Sequence, residues 1–157
     1  MSGIRIEGQR FDNEQCPIAR VTELLADRWT PLVLRDVMAG ITRFDDLQGE
    51  LRISRAVLSQ RLTRLVDAGL LQREQYETRP PRFEYRLTDS GAAAWNVLAA
   101  MWAFGEAHLW ADNEQPPAEL AFRDTGETVR PRVVDHTTGR PVEYANIRMR
   151  RRRASAS

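Results

Sequence analysis

The chain has 157 residues, a hydrophobic content of 42% and a formal net charge of +1, which fits one domain plus an appendage around an apolar core. No basic start followed by an apolar run opens the sequence, and its longest apolar stretch, residues 91–105, is shorter than the roughly 20 residues that cross a bilayer. A single cysteine, Cys16, rules out an internal disulfide. We therefore expect a cytoplasmic protein without membrane contact.

The basic charge is segregated along the chain. Residues 28–86 carry 11 Arg against 8 acidic residues, residues 87–139 carry 3 against 8, and residues 140–157 carry 6 against 1. All basic residues are Arg, which suits bidentate contacts with phosphate and guanine.

Three short helices are predicted after an N-terminal arm of residues 1–15. Pro17 suits the first turn of the first helix, which is expected to reach about residue 26. The second and third are predicted over residues 32–38 and 43–51. Arg52-Ile53 then forms the turn that leads into the next helix.

The segment from Ser54 to Gly69 predicts a capped helix with one polar face. Ser54 is a favoured N-cap residue, and Gly69 tolerates the left-handed conformation that ends many helices. Leu58, Leu62 and Leu65 share an apolar face. The opposite face carries short or polar residues of the kinds that reach base edges and phosphates: Arg55, Ser59, Gln60, Thr63 and Arg64. Taken alone, the same pattern also fits an ordinary amphipathic helix with a solvated face.

A short hairpin follows the helix. Residues 72–77 and 82–87 have the length and alternation of strands, and Pro80-Pro81 stiffens the tip between them. Arg79 and Arg82 flank the tip, where they suit phosphates or a narrow minor groove, although a solvated turn is the alternative. Helix and hairpin together predict a winged helix-turn-helix. The expected DNA contacts are Arg43, Arg55, Ser59, Gln60, Thr63, Arg64, Arg79 and Arg82.

A long apolar helix, capped by Thr88 or Asp89, is predicted to reach about Trp110. It carries two apolar stripes, so one stripe needs a partner beyond the domain. A homodimer is the favoured solution, and part of a small-molecule pocket is the alternative. The residues expected at the dimer interface are Ile18, Trp95, Leu98, Trp102 and Leu109.

Residues 111–146 predict a small β-rich appendage, in which two Thr-Gly turns separate three strand-like pieces. The layout is similar to a zinc ribbon, but the cysteine ligands of such a site are missing, so no metal or other cofactor is expected. Residues 147–157 are Arg-rich and predict a basic, disordered tail. The predicted fold class is α+β and mainly α: a winged helix-turn-helix domain over residues 16–110, a long C-terminal dimerisation helix, and the appendage.

The sequence resembles the HxlR-type family of bacterial regulators, which are similar in fold to MarR-type regulators. The resemblance rests on ordered motifs over about residues 14–110: Cys16-Pro17-Ile18-Ala19-Arg20, Asp27-Arg28-Trp29-Thr30, Leu34-Arg35-Asp36, Arg43-Phe44-Asp45-Asp46-Leu47, Leu58-Ser59-Gln60-Arg61-Leu62, and Ala68-Gly69-Leu70 through the hairpin to Thr88. It implies dimeric transcription factors that bind palindromic operators. It also implies that Cys16 matches the position where several members sense oxidants.

Two interpretations of Cys16 stay open, a redox sensor at a helix N-terminus or a structural cysteine. We expect a homodimeric, DNA-binding transcriptional repressor that is not an enzyme, since no nucleophile elbow, phosphate-binding glycine loop or paired catalytic carboxylates are evident. The alternatives are a redox- or small-molecule-responsive form of the same regulator, and a winged-helix module that binds proteins instead of specific DNA.

Overall fold

A computed structural model describes residues 5–6, 9–10, 16–111 and 114–149. The described residues fall into two compact units: residues 16–95 form the first, and residues 96–149 form the second together with the strands at 5–6 and 9–10. The basic tail predicted over residues 147–157 lies mostly outside the described residues, as does much of the arm at 1–15. No helix in the described ranges is long and apolar enough to span a membrane.

Five helices and a hairpin build the first unit. The helices are α1 (Pro17–Leu25), α2 (Thr30–Met38), α3 (Phe44–Leu51), α4 (Arg55–Asp67) and α5 (Asp89–Ala93). The strands of the hairpin are β3 (Leu71–Thr78) and β4 (Pro81–Leu87). Two earlier short strands, β1 (Arg5–Ile6) and β2 (Gln9–Arg10), pair with each other. The winged helix-turn-helix arrangement that the sequence predicts is thus present.

The core of this unit is made of leucine and valine side chains. The apolar face of α4 is fully buried, and α2 packs against both α3 and α4. The largest fully buried side chains are Leu34, Leu47, Leu58, Leu62, Leu65, Leu71 and Val33. Burying a leucine contributes roughly 1.5–3 kcal/mol, so this cluster fixes the orientation of α4.

The loop before α3 adds one bridge residue to the edge of the wing hairpin. β3 and β4 pair antiparallel with Leu71 opposite Leu87, and the register shifts between Gln75 and Glu77. Arg43 forms a β-bridge with Glu84, and the amide of Tyr85 donates to the Thr42 carbonyl. The loop before the helix-turn-helix pair is therefore tied directly to the wing.

The prediction of one continuous helix from residue 88 or 89 to about residue 110 was wrong at Ala94. Thr88 caps α5, accepting from the amide of Gly91, and a separate helix, α6 (Trp95–His108), follows one turn residue later. The amide of Ala94 lies 3.2 Å from both the Ser90 and Gly91 carbonyls. This shared bond tightens the backbone toward 3₁₀ geometry, which interrupts the α-helical ladder.

The second unit contains α6 from its second residue onward and the C-terminal segment. Within residues 114–149 the predicted strands are reduced to two isolated bridges, Ala121 with Thr128 and Val134 with Pro141, followed by a 3₁₀ turn at Tyr144–Asn146. The two bridges close loops of the same design, 13 residues apart. Each loop contains a glycine with positive φ, 71° at Gly126 and 67° at Gly139. Neither bridge extends into a strand.

Candidate nucleic-acid interface

The exposed face of α4 has the chemistry that the sequence predicts. Ser54 caps the helix, and its hydroxyl accepts from the Val57 amide at 3.2 Å. Gly69 follows the helix with a φ of 70°. All five predicted side chains of the polar face are exposed: Arg55, Ser59, Gln60, Thr63 and Arg64. The burial of the leucine face leaves these groups as the outer surface of the helix.

Arg55 is exposed but engaged by α3. Its Nη1 lies 3.0 Å from Asp45 Oδ1 and 3.4 Å from Gln48 Oε1, and its guanidinium stacks over the Phe44 ring at 4.6 Å. Both partners of the ion pair are largely exposed, with 69% of the Arg55 side chain and 84% of the Asp45 side chain accessible. Exposed pairs contribute little free energy, so a phosphate can replace Asp45 at small cost.

Arg43 lies at the base of the wing instead of on a helix. The prediction placed it at the start of the third helix, but α3 begins at Phe44 and Arg43 adopts an extended conformation as its N-cap. Its exposed guanidinium stacks over the Tyr76 ring at 4.7 Å. The β-bridge with Glu84 accounts for the difference, because it holds the backbone extended.

The tip of the wing presents its two arginines differently. Thr78 pairs with Pro81, so Arg79 and Pro80 form the turn itself. Arg82 Nε lies 3.3 Å from Glu77 Oε2, and both side chains are about half exposed. Within the described residues, Arg79 and the α4 residue Arg64 form no ion pair. Both guanidinium groups are thus available to an anionic partner.

Carboxylates neutralise the body of the wing. Arg86 bridges Glu74 at 3.0 Å and Glu84 at 2.7 Å. The hydrogen bond from Arg86 holds the pKa of Glu84 below its usual value, with smaller contributions from Thr42 and Arg43. The charge of Arg86 is therefore balanced by these two carboxylates.

Sequence reasoning gave no role to an ion pair that joins α4 to the start of α2. Asp27 Oδ1 accepts from the amides of Trp29 at 2.8 Å and Thr30 at 3.0 Å, and Oδ2 accepts from the Thr30 hydroxyl. Arg61 Nε also donates to Asp27 Oδ1, at 2.9 Å. Asp27 lies three residues before Thr30-Pro31, a spacing typical of a helix cap, so the sequence could have indicated a capping role for it. Its partner Arg61 lies 34 residues away, and no local pattern indicated the pairing.

The environment of Asp27 favours its ionised form. Burial raises its pKa, but the Thr30 hydroxyl, the two amides and the Arg61 charge together outweigh that penalty, so the pKa lies below the usual value. Only 22% of the Asp27 side chain and 19% of the Arg61 side chain are accessible. The pair is a fixed part of the unit.

The residues predicted at a dimer interface differ in exposure. Ile18 on α1 is 60% exposed, Trp95 is 40% exposed, and Leu109 just after α6 is 72% exposed. Leu98 is already buried in the single chain, at 8%, and Trp102 is half-buried. Three further large apolar side chains of α6 are exposed, Val97, Met101 and Phe104.

Cys16 is buried and precedes α1. It is 6% exposed, its carbonyl accepts from the Arg20 amide at 3.1 Å, and its side chain makes no capping bond. The thiol forms no disulfide within the chain.

The comparison with protein families decides the identity of this arrangement. The model described as HxlR-like helix-turn-helix matches residues 24–114. The chain belongs to the HxlR-like helix-turn-helix family. It is similar to the HTH-type transcriptional regulator Rv3095 of Mycobacterium tuberculosis, with 36% identity over 138 residues that cover 88% of this chain and 85% of the relative.

Solved structures of transcription factors share the fold. PA1607, assigned as a transcription factor, is 34% identical with a TM-score of 0.79, and the match covers 88% of this chain and 96% of that one. The reduced form of the transcriptional regulator YodB from B. subtilis is 28% identical with a TM-score of 0.53, covering 60% and 94%. This HxlR-family chain is therefore a DNA-binding transcriptional regulator of the helix-turn-helix type. Its family is one of regulators, not of enzymes.

Proposed function

We propose that this HxlR-family regulator is a homodimeric repressor that binds palindromic operators, with α4 in the major groove and the wing tip on the flanking backbone or minor groove. The observation that carries the proposal is the exposed polar face of α4, oriented by a fully buried leucine face and lying in the same unit as the wing. Gln60 and Arg64 lie one turn apart on this face, where bidentate contacts with base edges are worth roughly 1–3 kcal/mol each.

The contacts divide into two groups. Gln60, Arg64 and the nearby hydroxyls of Ser59 and Thr63 are proposed to contact bases, since they are exposed and polar. Arg43, Arg55, Arg79 and Arg82 are proposed to contact phosphates or the minor groove. The first group sets sequence preference, whereas the second adds affinity for any DNA.

The dimer is supported by the apolar side chains that a single chain leaves exposed. Ile18, Phe104 and Leu109 are each at least 60% exposed, which is costly for side chains of this size. A symmetric dimer would cover them and would set two copies of α4 on two half-sites related by a two-fold axis. A palindromic operator follows from that symmetry, and a dimer seated over a promoter would block transcription.

The proposal is tested by selecting bound fragments from random DNA with the full chain and with Gln60→Ala and Arg64→Ala. Wild type should select a palindromic motif, and each variant should relax preference at particular positions while keeping its affinity for random DNA. A motif common to all three proteins would show that neither residue contacts bases. A motif without a repeat would contradict the dimer.

A redox-responsive form is the second candidate, because one solved relative is described as the reduced form of a regulator. The buried Cys16 thiol favours a structural role over a sensor role in this chain. Treating Cys16→Ser and wild type with diamide separates the two roles. Release of DNA by wild type alone would establish the sensor.

A protein-binding module that does not recognise DNA sequence is the remaining alternative. Such a module would keep its partner after loss of Arg64, Arg79 and Arg82.

A further inference from the structure

Arg61 is unusual among the polar residues of α4 because it points away from the exposed face. It lies between Gln60 and Arg64 in the half of the helix proposed to contact bases, yet only 19% of its side chain is accessible. Its Nε is committed to Asp27 at 2.9 Å. A guanidinium held in this way is poorly placed to reach a phosphate.

A second hydrogen bond connects Arg61 to its neighbour. Arg61 Nη1 donates to Gln60 Oε1 at 3.1 Å. Asp27 itself is held by the Trp29 and Thr30 amides at the start of α2. An ordered path of hydrogen bonds thus runs from the α2 N-terminus through Asp27 and Arg61 to the Gln60 amide.

We propose that Arg61 is a positioning residue for base recognition, fixed by Asp27 and acting through the Gln60 amide; this inference rests on the proposed function. Because Oε1 is turned toward Arg61, Gln60 presents its NH₂ group to the groove as a hydrogen-bond donor. The major-groove edge of guanine offers two acceptors and no donor, so it is the base edge that best fits a Gln60 oriented this way. A freely rotating glutamine would also accept from the amino group of adenine.

The test is selection from random DNA with the full chain carrying Arg61→Met, which keeps the length of the side chain and removes its donors. One hydrogen bond is at stake, so preference should fall about 2- to 10-fold at the base pair that Gln60 contacts and nowhere else. Affinity for random DNA and its salt dependence should not change. In a Gln60→Ala background, Arg61→Met should have no further effect on the motif.

Asp27→Asn is the second variant. The asparagine oxygen can still accept from the Trp29 and Thr30 amides, so α2 keeps its cap, but the charge that holds Arg61 is lost. The same base pair should lose preference. Arg28→Met is the matched control, because Arg28 stacks over Trp29 at 4.8 Å in the same loop and takes no part in the path. Its motif should equal that of wild type.

Two results would overturn the inference. A loss of random-DNA affinity in Arg61→Met, with a salt slope smaller by about 0.9, would make Arg61 a phosphate contact. A wild-type motif in both Arg61→Met and Asp27→Asn would show that the path does not orient Gln60. If circular dichroism shows that Arg61→Met is unfolded, the motif selected by Asp27→Asn decides the question. A wild-type protein that selects no motif would instead overturn the proposed function, and this inference with it.

Discussion

Gly91 offers a stability test whose magnitude follows from the packing of α5 on the wing. A Cβ added at Gly91 would overlap the carbonyl oxygen of Leu70 and would lie 3.0 Å from its carbon and 3.2 Å from Leu87 Cδ2. The same carbonyl accepts from the Thr88 amide at 3.1 Å. In Gly91→Ala, therefore, α5 must move away from the start of β3.

The size of the effect is the sum of three contributions. The forced backbone shift costs about 1–3 kcal/mol. Weakening the bond between Thr88 and Leu70 costs about 1 kcal/mol. The better helix propensity of alanine returns about 1 kcal/mol. The net loss of about 1–3 kcal/mol in the free energy of unfolding corresponds to a melting temperature lower by roughly 5–20 °C for a domain of this size.

Thermal and urea unfolding followed by circular dichroism measure this loss. Gly49→Ala is the matched control, since Gly49 lies within α3 and an added Cβ meets no atom within 4 Å. It should be neutral or stabilise by up to about 1 kcal/mol. If Gly91→Ala were as stable as Gly49→Ala, the described packing of α5 on Leu70 would be refuted.

Three further predictions concern charge and capping. Replacing both Arg79 and Arg82 with Ala should weaken binding to specific and random DNA alike and reduce the salt slope by about 0.9 per lost phosphate contact; an unchanged slope would exclude the wing from binding. Ser54→Ala should cost about 1 kcal/mol of unfolding free energy through loss of the α4 cap, measurable in urea, and no loss would mean that the cap contributes nothing. Burial raises the pKa of Asp36 above its usual value of 3.8, although Asp36 is paired with Arg35. The folded protein therefore loses stability as the pH rises from 3.8 through the raised pKa, because the buried carboxyl must ionise. Asp36→Asn has no carboxyl to ionise, so its free energy of unfolding relative to wild type, measured in urea, should increase across that pH window and then level off. A difference in unfolding free energy that does not change with pH would contradict the raised pKa.

Local signals in the sequence predicted α4 and the wing well. The leucine spacing lies within α4 and Ser54 and Gly69 lie at its two ends, and the alternation of Phe83, Tyr85 and Leu87 lies within one strand. Each of these signals acts between neighbours in the chain, so no knowledge of tertiary packing was needed.

The features that sequence reasoning missed depend on packing between distant segments or on backbone detail. The pairing of Arg61 with Asp27 joins α4 to the start of α2, and the bridge from Arg43 to Glu84 joins residues 41 positions apart. The interruption at Ala94 depends on a shared hydrogen bond that no residue type announces. The predicted helix carried two apolar stripes, and periodicity alone did not show which side chains are buried. In the structure Leu98 is buried, whereas Phe104 is exposed.

Recognition of DNA sequence by α4, supported by the wing, can be measured as a difference between two affinities. Fluorescence anisotropy at one physiological salt concentration would measure binding of the full chain to its selected motif and to a scrambled duplex of the same composition. We expect the motif to bind at least about 10³-fold more tightly than the scrambled duplex, as specific regulators do. Equal affinity for the two duplexes would contradict it.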